Sequence, residues 1–236
     1  MEFDTFGDSA DPDCLFVLGW GNRPGHEPVR WLIDRIAEDG WWVHTATLPV
    51  HVTDVASEWV APVETYATDL DDPAVLAHSA GGLTVAHAAL DAATTTYLSP
   101  WWGDPPARRG PLADVLAKIP GDRKLLPSSI DDPTILGKHA TARQLADGPD
   151  YVSPAFLRAT RQAHRTLPAI TDDAVVFCSL TDRVVSTHAV GENVPADRTV
   201  LYDGGHELFS SGSRERHLPT VLAALSAGTA ALASSA

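Results

Sequence analysis

Short apolar runs alternate along this chain with stretches in which apolar residues return every three or four positions. The first run, residues 14–18, reads as a buried strand. A glycine-rich loop follows at 19–27. Pro28 then opens a helix where its missing N–H is not needed, Val29, Leu32, Ile33 and Ile36 form the apolar stripe, and Gly40 closes it. Residues 42–48 read as a second strand, stopped by Pro49, and 54–70 as a helical stretch interrupted near Pro62. The run at 74–77 is a third strand. It turns sharply into a helix marked by Leu83, Val85, Ala86, Ala89 and Leu90, reaching about residue 93. Residues 95–98 make a fourth strand.

Beyond that strand the pattern changes. Up to about residue 154, Gly, Pro and Asp are frequent, helical segments such as 112–118 are short, and strand signals vanish. Helical spacing returns at 156–167. Strands follow at 175–180 and 199–203, with a short helix between them inside 184–197. An Ala-rich helix at 214–231 carries Leu218, Val221, Leu222 and Leu225 on one side, with Pro219 tolerable near its start. Residues 1–13 are acidic and polar and read as a loose arm. Strands alternating with helices imply an α/β fold: a mostly parallel sheet of about six strands with helices on both faces, in one domain over residues 1–236. In such sheets ligands bind at the carboxyl ends of the strands. Trp20, Ser79, Trp101, Asp182 and His206 all fall just past strand ends.

Charge narrows the partners. The 236 residues hold 31 acidic and 17 basic side chains, a net charge of −14, and only three of the basic residues are lysines. Nucleic acid and anionic membrane surfaces both call for Lys and Arg, so neither is an expected partner. An Asp-rich, Lys-poor surface resembles that of proteins from salt-loving organisms. Cys14 and Cys178 each lie in an apolar strand and read as small buried core residues, which fits a reducing cytoplasm better than a disulfide framework. No signal segment and no apolar run of spanning length is expected. Without an HExxH, a paired histidine spacing, a GxGxxG or a Walker loop, no metal and no cofactor is expected either.

The chemistry-bearing stretch is Ala77-His78-Ser79-Ala80-Gly81. A serine sits at the tip of a tight strand-to-helix turn, flanked by small residues because strand and helix backbones must come close. That is the pattern of the nucleophile elbow. The Ala80 N–H starts the helix and can donate to an oxyanion, with the helix dipole adding positive potential. Here the chain resembles the α/β-hydrolase superfamily, in a short version of its fold, over about residues 14–228. Ala77 stands where the family usually has glycine, and Leu18 where it often has histidine.

The resemblance implies an acid and a histidine later in the chain. Asp182, after the strand at 175–180, looks like the family's acid, with Asp104 as the rival. His206, just past Gly204 and Gly205, looks like its catalytic histidine. Trp20 sits where the family places its second oxyanion N–H. The insertion at about 101–160 lies where the family commonly places a helical lid. Trp101 and Trp102 either line the acyl or leaving-group pocket or pack lid against core. The implied activity is that of a serine hydrolase cleaving a small-molecule carboxylic ester through an acyl-enzyme. Thioesters, lactones, amides and carbon–carbon bonds are alternatives, as is a binding protein that keeps the fold without hydrolysis.

Overall fold

The computed structural model describes residues 1–105, 115, 117–123, 126–127 and 132–233. Seven strands form one sheet: β1 (Glu2–Phe6), β2 (Asp13–Val17), β3 (Trp42–Thr47), β4 (Ala74–His78), β5 (Thr94–Leu98), β8 (Val175–Cys178) and β9 (Thr199–Leu201). Their spatial order is β1-β3-β2-β4-β5-β8-β9. All neighbours are parallel except β1, which runs antiparallel to β3 from Glu2 opposite Thr47 to Phe6 opposite Val43.

β1 corrects the expected loose arm and raises the strand number to seven. Its sequence, Glu-Phe-Asp-Thr-Phe, lacks an apolar alternation because it is a half-exposed edge strand. Charged residues suit an edge that must not recruit another strand. Phe3 anchors it by stacking on Tyr66 at 3.9 Å between ring centroids.

β2, β4 and β8 are largely apolar on both faces because helices cover both. Along β2, Leu15 and Val17 point to one side and Cys14 and Phe16 to the other. The first side packs against α2 (Ala61–Ala67), α3 (Ala80–His87) and α5 (Pro154–Arg165), with Trp59 fully buried in a π-helical turn at Ala56–Val60. The second packs against α1 (Glu27–Glu38) and α7 (Arg214–Ala227). The expected α1 stripe is real: Val29, Leu32, Ile33 and Ile36 are all fully buried. Cys14 and Cys178 are buried thiols; burial, with help from Asp13 and Asp182, pushes them up to about 12 and about 11 respectively, so neither is reactive at neutral pH.

Between β5 and β8 the described parts of the insertion are a small ribbon of β6 (Leu126–Pro127) with β7 (Tyr151–Val152), a 3₁₀ turn at Pro133–Ile135, the short helix α4 (Ala142–Ala146), and α5. The short helix expected at 112–118 lies largely outside the described residues. Also among the described residues are α6 (Thr187–Asn193) and a final turn, α8 (Ala230–Ala233). From β2 the chain steps outward to β3, then crosses to the other side of β2 for β4. β2 and β4 therefore flank the point where strand order reverses, and the crevice beyond their carboxyl ends is where such a sheet offers a binding site.

Candidate functional site

Ser79 stands directly after β4 and before α3, with φ 53° and ψ −115°. A non-glycine residue there carries strain of about 1–3 kcal/mol, which persists only when its surroundings enforce it. They do: the Ser79 N–H donates to Leu98 O at 3.1 Å, and its carbonyl accepts from Trp101 N at 2.8 Å. The turn leaves no room for side chains. A Cβ on Gly81 would stand 2.2 Å from Val17 O, and one on Gly82 would stand 2.6 Å from Pro100 Cβ. So the small residues around the serine are demanded by the close approach of β2 and the loop after β5.

The Ser79 hydroxyl lies 2.9 Å from His206 Nε2, and His206 Nδ1 lies 2.8 Å from Asp182 Oδ2. These three residues, distant in sequence, form one hydroxyl–imidazole–carboxyl chain. The Asp182 carboxyl is fully buried. Burial alone would raise its pKa. The facing imidazole and the N–H donors of Val184 (2.7 Å) and Val185 (3.1 Å) outweigh that and hold it below the ordinary carboxylate value. Ser179 and Thr181 both donate to Gly204 O, at 2.5 and 2.6 Å, tying the aspartate loop to the histidine loop. Behind His206, the Tyr202 hydroxyl lies 2.7 Å from the His206 carbonyl and 2.8 Å from that of Gly205, and also meets Ser99 Oγ at 2.9 Å.

Ala80 follows Ser79 directly, and Trp20 borders the same cleft as Ser79. Ala80 opens α3, so its N–H has no acceptor within the helix. Trp20 is second in a four-residue turn closed by Asn22 N donating to Gly19 O at 2.9 Å. Gly21, third in that turn, has φ +87°, a conformation that favours glycine. Neither amide has an acceptor among the described residues. Each is therefore open to an outside acceptor.

The two tryptophans after β5 part company. Trp101 borders the cleft, where its ring stacks on Phe156 at 6.2 Å and its Nε1 donates to Asp104 at 3.0 Å. Trp102 does not: it is 3% exposed, donates to Gly82 O and packs on Tyr97. Trp102 takes the core side. The Trp20 ring stacks on Phe156 at 4.5 Å. His206 Nδ1 faces Asp182, whereas the rival acid, Asp104, accepts from Trp101 Nε1.

A second polar group lies at the site, of which the sequence reading gave no role to Asn22, Gln144 or Glu207. Asn22, His78, Gln144 and Glu207 are each at most 6% exposed and border the same cleft. The one sequence cue was Glu207, a carboxylate set between His206 and the apolar Leu208-Phe209 pair. His78 is neutral: burial, then the neighbouring His206, push it well below the usual histidine value. It accordingly serves Asn22 Oδ1 from Nδ1 at 3.0 Å. The cleft itself has a volume of about 130 Å³. No group of three or more His, Cys, Asp or Glu side chains arranged to hold a metal occurs among the described residues.

No protein-family model matches the chain, and no curated protein matches it in sequence. Solved structures do. A monoacylglycerol lipase from Paleococcus ferrophilus superposes with a TM-score of 0.76 at 18% identity, covering 98% of each chain. The chain has the α/β-hydrolase fold. A soluble variant of monoglyceride lipase from Saccharomyces cerevisiae gives 0.71 at 16% identity, over 98% of this chain and 91% of that one. An esterase from Exiguobacterium antarcticum gives 0.62 at 14%, over 95% and 94%. The turn after β4 and the loops after β2 and β9 bring Ser79, Trp20 and His206 to one cleft, and the loop after β8 brings Asp182 to His206. No helix among the described residues is long and apolar enough to cross a membrane.

Proposed function

We propose that the protein is a serine hydrolase that cleaves carboxylic esters with a small or medium apolar acyl group. The observation that carries this reading is the unbroken chain from Ser79 Oγ through His206 to Asp182, at 2.9 and 2.8 Å, with the Ala80 amide at the same turn. His206 takes the hydroxyl proton as Ser79 Oγ attacks the ester carbonyl carbon. The resulting oxyanion lies against the N–H groups of Trp20 and Ala80. Collapse breaks the bond to the alcohol oxygen, which leaves with the proton from His206. Water, deprotonated by His206, then releases the acid and restores the serine. Asp182 keeps the imidazole in the required tautomer and stabilises its cation.

The names of the fold neighbours, lipases and an esterase, favour an ester over the other acyl bonds. The Trp20, Trp101, Leu136 and Val184 side of the cleft favours an apolar acyl chain. A fluorophosphonate probe should label the wild-type protein covalently and leave Ser79→Ala unlabelled. Folded wild-type protein that takes no label would overturn the reading. Activity against p-nitrophenyl esters of increasing chain length should peak at short to medium acyl groups and fall beyond the length the cleft holds.

A further inference from the structure

Glu207 has no part in the reaction just described, yet it is a carboxyl group at 2% exposure immediately after His206. Asn22 Nδ2 donates to Oε1 at 3.0 Å; Gln144 Nε2 reaches Oε1 at 2.7 Å and Oε2 at 2.8 Å; Ser210 Oγ donates to Oε2 at 2.5 Å. The group thus joins three segments that share no secondary structure: the loop after β2, helix α4 of the insertion, and the histidine loop. No Lys or Arg side chain pairs with it among the described residues. A buried carboxyl held only by neutral donors is costly to place and contributes little to stability over an apolar substitute. Its value has to lie in the geometry it fixes.

That geometry is the oxyanion turn. Asn22 is the fourth residue of the turn that carries the Trp20 N–H, and its side chain bridges Glu207 on one side and His78, beside Ser79, on the other. The turn presses directly on the elbow: a Cβ on Gly19 would stand 2.5 Å from His78 Nδ1 and 2.7 Å from Asn22 Oδ1. The histidine loop is in turn stitched to the insertion by His206 N to Ile135 O at 2.9 Å and Glu207 N to Leu136 O at 2.8 Å. We propose that Glu207 is a positioning residue for the oxyanion hole, holding the Trp20 amide in register with the Ala80 amide through Asn22. This rests on the serine-hydrolase reading above. Misplacing one oxyanion donor acts on the transition state and leaves ground-state binding nearly unchanged, so the effect belongs in kcat.

The test is Glu207→Gln, which keeps the size and removes one acceptor, with kcat normalised to the sites a fluorophosphonate titrates at completion. For p-nitrophenyl butyrate, kcat per titrated site should fall by about 100-fold while KM stays within about threefold. Asn22→Ala should give a similar loss, and the double variant should lose little more than either single one, because both act through one bracket. A purely structural role would lower the melting temperature and the titrated fraction and leave kcat per site unchanged; that result overturns the proposal, as do losses that multiply in the double variant. Should Glu207→Gln fail to fold, Asn22→Ala decides alone: a large kcat loss at constant KM supports the bracket, and unchanged kcat overturns it. Wild-type protein that neither takes the label nor hydrolyses the ester would defeat the hydrolase reading itself, and the positioning role with it. An active wild type with unimpaired variants defeats the positioning role alone.

Discussion

At the scale of single residues, burial sets the charge states that matter. His78, His26, His139 and His217 are all pushed below the usual value of 6.5, in each case by burial first. A histidine that resists protonation in the folded state binds its proton more readily when unfolded. Stability therefore falls as pH drops below about 6.5, by up to about 1.4 kcal/mol per pH unit for His78, the most strongly depressed of them. Urea denaturation at pH 7.5, 6.5 and 5.5 should show this decline, and a flat profile would contradict the buried neutral His78. Asp182 acts in a separate window. Its depressed pKa adds stability above 3.8, which is lost as pH falls through the lower folded value. Asp182→Asn should remove that part of the acid limb.

Secondary-structure elements divide by how much of their role is written locally. The elbow is written almost completely. Its small residues exist because β2 passes within contact of α3, and Gly81→Ala, whose Cβ would meet the Val17 carbonyl, should cost about 3 kcal/mol in a urea titration. α5 is different. Its helical spacing was legible, but nothing in that spacing says that Phe156 becomes the plate between Trp20, Trp101 and Trp59. Phe156→Ala should destabilise the protein by about 4 kcal/mol and slacken the aromatic wall of the cleft, read as raised relative activity on longer acyl esters. β1 escaped the sequence reading because an edge strand with one half-buried face needs neither a long apolar run nor a clean alternation. The position of Trp102 escaped it too, since a tryptophan pair after a strand reads the same whichever ring turns inward.

For the whole molecule the dominant sequence-level quantity is charge. A net charge of −14 opposes compaction through self-repulsion, and salt screens it. If the surface is adapted to salt, the melting temperature should climb steeply as KCl rises toward molar concentration, and an unchanged melting temperature would reject that adaptation. The sheet order carries the other whole-molecule fact. Only the reversal at β2 and β4 brings the Gly19–Asn22 turn beside Ser79, and only the β8–β9 pair at the far side carries Asp182 and His206 back toward it.

Local sequence was enough for the alternation of strand and helix and for the tight serine turn. These depend on backbone room and short-range periodicity, which neighbouring residues express directly. The tertiary structure alone decided what touches what across long separations: that Trp102 is core and Trp101 is cleft, that residues 2–6 close the sheet edge, and that Asn22, Gln144 and Glu207 form one buried polar bracket. A hydrogen bond between residues 22 and 207 leaves no periodic trace in a sequence, because it exists only once the sheet has placed both loops at the same edge.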